Sequence, residues 1–288
     1  IQKKINSFFK TKKIDHKLIS DSALNTLAVL KKNKYEAFIV GGAIRDILMG
    51  SRPKDFDIAT NATPEQVRSI FKKSRIIGRR FKLVHVIYGR EIIEVSTFRA
   101  KPLQKIHMSN GVLKDNEYGS IEEDAERRDF TINALYYNVE EKKLIDFYGG
   151  LKDIENQKLR LIGNPKLRYK EDPIRLLRAI RFAAKLKIKI DGETLSELKK
   201  STDLLESVPY SRLFDEIMKL FLTGHAEDSM VLFKKYKLSC TYFPTLANEN
   251  KTFQDFLSQA LINTDLRIKN DQSVNPGFFL AVFLWHDV

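Results

Sequence analysis

The stretch AFIVGGAIRDILMGSRPKDFDIAT, residues 37–60, decides the fold at the start of this chain. Its apolar residues at 38–40 predict a buried strand. Gly41 and Gly42 predict a turn into a short helix over 43–49. A second strand follows, and we expect it to carry Asp55 and Asp57.

The two acids of this stretch predict a metal site. At positions i and i+2 of a strand, Asp55 and Asp57 point to the same face, because side chains alternate along a strand. Two carboxylates that face one way repel each other unless water or a cation lies between them. We therefore interpret them as Mg2+ ligands, with a solvated acid pair as the alternative.

The glycines and the helix after them predict a phosphate site. Gly41 and Gly42 let the backbone approach a phosphate closely, and the first amides of the following helix favour an anion. Arg45 could add a forked contact to phosphate oxygens. The alternative is a glycine pair that only turns the chain.

Composition points to an anionic partner. The chain has 288 residues, with 50 Lys and Arg against 37 Asp and Glu, a net charge of +13 and a pI near 9.5. This charge favours an anionic polymer, although an ordinary basic surface would give the same excess. The length allows two or three domains.

Cysteine content and hydropathy exclude several classes. The single cysteine, Cys240, excludes an internal disulfide and a cysteine-cluster zinc site, and it fits a reducing cytoplasm. The longest apolar run, 278–285, is shorter than the ~20 residues of a membrane span. The chain starts without methionine and stops just after that run, so we expect a fragment of a longer protein.

The remaining pattern predicts an α+β head followed by helices. Further strands are predicted at 76–86, 91–98, 135–139 and 144–147, and flanking helices at 22–31 and from Pro64 to about 71. Glu94, on the second of these strands, is a candidate third carboxylate or a solvent-facing acid. Residues 99–119 lack periodicity and predict a long loop. Beyond about residue 203 the pattern is helical.

Two clusters of arginines could bind a nucleotide. Arg127, Arg128 and Asp129 are adjacent, and could clamp phosphates or form an ordinary surface pair. Further along, the segment Glu171-Asp172-Pro173 predicts a helix start. Four charged residues then share one half of this helix, at positions Asp172, Arg175, Arg178 and Arg181. The first two suit a base edge and the last two suit phosphates, with a solvated helix face as the alternative.

The motifs resemble those of the class II branch of the nucleotidyltransferase superfamily, which contains bacterial poly(A) polymerases and CCA-adding tRNA nucleotidyltransferases. They occur here in the family's order, as VGGAIRDILMG with KDFDIAT, then RRDFTINAL, then EDPIRLLRAIRFAAKL. Within the branch the chain is more similar to the polymerases, because IIGRRFKLVHV at 76–86 is similar to the segment that separates the two groups.

The resemblance implies a mixed-sheet head at 1–150, a neck at 151–205 and a helical, RNA-binding body at 206–288. Gly149-Gly150 marks the expected boundary between head and neck. Carried over by position, the resemblance makes Asp55 and Asp57 the metal ligands and Asp129 a further catalytic carboxylate. It implies contacts to the incoming nucleotide by Gly41, Gly42, Arg45 and Arg128. It also implies that Asp172 and Arg175 recognise the base and that Arg178 and Arg181 contact phosphates.

The implied reaction is template-independent addition of AMP from ATP to an RNA 3′ end, with two Mg2+ ions or Mn2+ in their place. We expect a cytoplasmic monomer whose partners are ATP and RNA. CCA addition to tRNA is the alternative with the same chemistry. A non-catalytic RNA-binding protein is the alternative of another class.

Overall fold

The computed structural model describes residues 9–10, 14–78, 82–100, 108–109, 112–113, 118–236, 238 and 250–285. The chain divides into two compact units, 1–156 and 157–288. Each is described by itself. Gly149 and Gly150, at the expected head boundary, lie inside the first unit and begin a helix there.

The first unit is a mixed sheet with flanking helices. Its described strands are, in chain order, β1 (Phe9–Lys10), β2 (Ala37–Val40), β3 (Asp57–Thr60), β4 (Ser74–Ile77), β5 (Leu83–Tyr88), β6 (Glu91–Thr97), β7 (Met108–Ser109), β8 (Val112–Leu113), β9 (Leu135–Asn138) and β10 (Lys143–Asp146). Its described helices are α1 (Asp21–Lys32), α2 (Gly42–Leu48), α3 (Pro64–Ile70), α4 (Ile121–Arg127) and α5 (Gly150–Glu155).

Eight strands form one sheet in the order β1-β10-β9-β2-β3-β6-β5-β4. The β3–β6 pair is parallel and the other neighbouring pairs are antiparallel. The predicted mixed sheet with flanking helices is thus confirmed. The strand expected over 76–86 was wrong as one element, because β4 and β5 are separate antiparallel strands. Residues 79–81 between them lie outside the described part.

The core of this unit lies against the centre of the sheet. All four residues of β2 are buried, as a strand with neighbours on both edges and packing on both faces requires. One buried cluster contains Phe38 and Val40 from β2, Ala125 from α4 and Tyr136 from β9. The cluster also contains Ala59 of β3, so this packing sets α4 beside the strand that begins at Asp57.

The second unit is helical. Its described helices are α6 (Pro165–Glu171), α7 (Ile174–Leu186), α8 (Gly192–Lys200), α9 (Tyr210–Phe221), α10 (Ala226–Lys235), α11 (Lys251–Lys269) and α12 (Pro276–Leu284). A short parallel pair of strands, β11 (Lys158–Leu159) and β12 (Lys189–Ile190), accompanies them. None of the helices that the structure describes has the length and apolarity needed to cross a bilayer. The finer division into neck and body stays a prediction.

Candidate active site

The two predicted acids lie where β3 begins. Asp57 is the first residue of β3, whereas Asp55 precedes it, so the prediction that the strand carries both acids was wrong by two residues. Phe56 is 4% exposed, while Asp55 is exposed and Asp57 is half-buried. This alternation is consistent with the two carboxylates sharing the face opposite Phe56.

Glu94 is a neighbour of this pair. Asp57 and Glu94 are in register on the parallel strands β3 and β6, and the Glu94 carboxylate lies 3.2 Å from His85 Nε2. Burial, followed by repulsion from Glu94, raises the pKa of Asp57 to about 6. Asp55 adds to this repulsion and Arg128 opposes it. The site therefore carries an excess of negative charge.

The donor set fits Mg2+. This cation is usually bound by one or two carboxylates together with substrate phosphates and water. In the described part of the chain, no three His, Cys, Asp or Glu side chains group to hold a metal ion. Asp55 and Asp57 would supply two carboxylates and leave the remaining coordination positions of Mg2+ to phosphate oxygens and water, which matches this usual mode of binding.

Gly41 joins the acids to the second motif. Its backbone has φ +71° and ψ −130°, a conformation that only glycine adopts readily. A Cβ built on Gly41 would lie 3.3 Å from Arg128 Nη1 and 3.8 Å from Asp57 Oδ2. The glycine turn, an acid and an arginine are therefore adjacent.

Arg45 forms hydrogen bonds within the first unit. It is 3% exposed. Its Nε and Nη2 donate to Asp46 Oδ1 at 2.8 and 2.6 Å, and its Nη1 donates to Asn133 Oδ1 at 2.7 Å. Asn133 Nδ2 in turn donates to Asp129 Oδ1 at 3.1 Å. Arg45 thus ties α2 to the segment that carries Asp129, and its contact with a nucleotide stays a prediction.

Arg128 follows α4 and is held by a buried network. Its Nε donates to the Tyr136 hydroxyl at 2.9 Å and its Nη2 donates to Asp124 Oδ2 at 3.3 Å. The Tyr136 hydroxyl donates to the same Asp124 oxygen at 2.6 Å. Burial alone would lower the pKa of Arg128, but Tyr136, Asp124 and Asp57 outweigh it and raise that pKa above its usual range.

Sequence reasoning missed Asn133, Tyr136 and the role of Asp124. Asp124 is 7% exposed and paired with Arg128. The i, i+4 spacing of Asp124 and Arg128 was a usable signal. Nothing local marks Tyr136, because its partners come from another element.

The other four predicted site residues belong to the second unit. The helix predicted to open at Glu171-Asp172-Pro173, with Pro173 at its first position, is α7, which begins one residue later at Ile174; Glu171 itself ends α6, and Asp172 lies between the two helices. Both oxygens of the Asp172 carboxylate accept from Arg212 Nη2, at 3.2 and 3.3 Å. Arg175, 8% exposed, donates to the Arg168 carbonyl oxygen and to Glu171.

The last two arginines both lie over the Phe182 ring, Arg178 at 5.3 Å and Arg181 at 4.6 Å from its centroid. Arg181 Nε donates to Glu216 Oε1 at 2.7 Å, and Glu216 is 4% exposed. Arg181 therefore pairs with a buried acid on α9, and the nucleotide roles of these four residues stay predictions.

Two family models match the chain. Residues 37–160 match the poly A polymerase head domain. Residues 187–249 match a family described as the probable RNA and SrmB-binding site of polymerase A.

Three known proteins illustrate what the chain is similar to. It is 46% identical to poly(A) polymerase I of Escherichia coli O6:H1 over 95% of this chain and 62% of that protein. It is 36% identical to the CCA-adding enzyme of Streptococcus agalactiae serotype V over 92% of this chain and 64% of that protein. The crystal structure of the Bacillus stearothermophilus CCA-adding enzyme in complex with CTP matches with a TM-score of 0.68 and 32% identity, over 84% of this chain and 56% of that one. The chain therefore spans less than two thirds of these proteins' length.

Proposed function

Since this chain belongs to the nucleotidyltransferase superfamily, with a poly(A) polymerase head domain, we propose that it adds AMP from ATP to RNA 3′ ends without a template. One observation carries the proposal: Asp57 and Arg128 both border the Gly41 turn. That arrangement offers an acid for a metal ion and a guanidinium for phosphate within one small region. It suits transfer of a nucleotidyl group from a triphosphate.

In this reaction the RNA 3′-hydroxyl attacks the α-phosphate of ATP, and pyrophosphate leaves. Mg2+ bound with ATP would lower the pKa of the attacking hydroxyl and neutralise charge on the leaving group. Asp55 and Asp57 would hold it, and Arg128 would orient the phosphates. No nucleophilic side chain is needed, because positioning and charge neutralisation supply most of the rate.

Base recognition and RNA binding belong to the second unit in this proposal. Asp172 and Arg175 offer acceptor and donor groups for the base, and the region 187–249 that matches the RNA-binding family would contact RNA. The +13 net charge supports a polyanionic substrate. We also propose a cytoplasmic location, which the single cysteine supports.

Poly(A) synthesis is preferred over CCA addition because identity to the polymerase is higher, at 46% against 36%. The test is incorporation of each nucleoside triphosphate, supplied separately with Mg2+, into oligo(A) and into tRNA that lacks its CCA end. Long tails from ATP alone are expected. Addition of two C residues from CTP alone to tRNA, followed by a single A when ATP is then supplied, would establish the alternative, and no Mg2+-dependent pyrophosphate release would refute catalysis.

The Asp55→Ala variant tests the metal assignment. A metal ion contributes several kcal/mol to the transition state, so we expect incorporation to fall roughly a thousandfold. RNA affinity should stay close to that of the unaltered protein. The matched control is Asp203→Ala, which removes an exposed acid from the second unit. Substantial residual activity in Asp55→Ala would contradict the assignment.

A further inference from the structure

The guanidinium of Arg128 is bound along one edge. Nε and Nη2 donate to Tyr136 and Asp124. Nη1 donates to the Asn133 carbonyl oxygen at 3.3 Å, and it lies the same distance from the point where a Cβ on Gly41 would be. The hydrogen bonds of Nε and Nη2 thus hold Nη1 at the Gly41 turn.

The two groups that hold this edge are themselves held rigidly. Tyr136 is fully buried, and its ring packs edge-on against Phe38 and Phe147, with centroids 6.4 Å away in both cases. Burial raises the pKa of Tyr136 above its usual range, so the hydroxyl keeps its proton. Asp124 lies in the first turn of α4, and it also accepts from the Arg99 backbone N–H at 3.3 Å.

We propose that Tyr136 and Asp124 are positioning residues, which hold Arg128 with Nη1 at the Gly41 turn so that it meets the polyphosphate of the incoming nucleotide. The inference rests on the proposed function, because it requires a nucleotide at this turn. A guanidinium already held in its binding geometry loses less conformational entropy when the nucleotide binds. Removing a holding group therefore weakens binding, although the removed group does not touch the ligand.

The neighbouring tyrosine provides a matched control. Tyr137 lies on the same strand, is 1% exposed, and its hydroxyl is bonded to His16 Nε2 at 2.7 Å instead of to Arg128. The variants Tyr136→Phe and Tyr137→Phe each remove one buried hydroxyl from β9. Thermal unfolding of the two proteins measures the structural cost of each lost hydroxyl separately from its effect on binding.

The deciding measurement is calorimetric titration of each protein with a non-hydrolysable ATP analogue in Mg2+. We expect Tyr136→Phe to bind it about tenfold more weakly, the size expected for one hydrogen bond to a charged group. Tyr137→Phe should bind like the unaltered protein. Equal affinities in the two variants would overturn the proposal, since a structural role alone would affect both tyrosines alike.

A second pair of variants tests whether Tyr136 acts through Arg128. If Tyr136 acts through Arg128, Tyr136→Phe causes no further loss of affinity in an Arg128→Met background. An additive loss would overturn the inference. A protein that binds the analogue but incorporates no nucleotide would refute the proposed function and leave the positioning role standing. A protein that does not bind the analogue at all would refute both.

Discussion

At the scale of single residues, Gly41 is the point on which the candidate site depends. Its φ of +71° turns the chain between β2 and α2, and its N–H donates to the Leu135 carbonyl oxygen at 3.3 Å. The absence of a side chain lets Arg128 and Asp57 approach the turn. Gly41 therefore serves backbone conformation and close approach together.

We predict that Gly41→Ala destabilises the protein and weakens nucleotide binding. A non-glycine residue in this conformation costs ~1–3 kcal/mol of unfolding free energy, and the new Cβ would crowd Arg128 Nη1. Gly50→Ala is the control, because Gly50 also has positive φ, at +78°, but a Cβ there would meet nothing within 4 Å. Denaturant unfolding should show a loss in both variants. Only Gly41→Ala should reduce affinity for the ATP analogue, and equal affinities would contradict the assignment of the turn.

At the scale of elements, α4 carries Asp124, one of the two groups that hold Arg128, and leads directly into Arg128. A capping box between Ser120 and Glu123 begins this helix, and Arg128 caps its end. The seven-residue helix α3 has the same device, between Thr63 and Gln66. Such short helices depend on their caps and on packing, since few hydrogen bonds lie within them.

Removing the two helix caps one at a time should distinguish a loss of unfolding free energy from a loss of affinity for the ATP analogue. Ser120→Ala and Thr63→Ala should each cost ~1 kcal/mol of unfolding free energy, measured by denaturant titration. Only Ser120→Ala should also weaken binding of the ATP analogue, because α4 carries Asp124 and leads into Arg128. If Thr63→Ala weakened binding as much, the loss would reflect general destabilisation.

In the second unit, Arg181 and Glu216 join α7 to α9. Glu216 is 4% exposed, so Arg181→Ala would leave a buried carboxylate without this partner. We expect a loss of ~3–5 kcal/mol of unfolding free energy. The double variant Arg181→Met with Glu216→Leu should recover most of it, because an apolar pair needs no charge compensation. Thermal and denaturant unfolding of both proteins would measure this, and a fully stable Arg181→Ala would show that the ion pair is dispensable.

At the scale of the whole molecule, the net charge of +13 should dominate RNA binding. Binding that neutralises six or more phosphates loses roughly a thousandfold in affinity between 50 and 200 mM salt. We predict a loss of this size for oligo(A), measured by fluorescence anisotropy. Unfolding temperatures over the same salt range control for an intact fold. An affinity that did not change with salt would contradict an electrostatic RNA interface.

Sequence reasoning succeeded where the signal is local or carried by a motif. The strand at β2, the glycine turn and the helix after it follow from short-range pattern, whereas the register of Asp57 with Glu94 comes from the pairing of β3 with β6. It was incomplete just before α7. Pro173 was expected at the first position of a helix, and α7 begins one residue later at Ile174, but α6, which ends at Glu171, was not predicted. Two acids before a proline indicate the helix that follows, and they do not show that another helix ends there.

The sequence by itself determined the local elements, the order of the motifs and hence the superfamily, because propensities, caps and side-chain periodicity act over a few neighbouring residues. Only the tertiary structure decided the partner of each charged side chain. Arg45 meets Asn133, 88 positions away in the chain, because the pairing of β2 with β9 brings the segments next to these strands within hydrogen-bond reach. Arg128 meets Tyr136 across the segment that joins α4 to β9. Register is set by packing of the whole sheet against its helices, and no single stretch of sequence contains it.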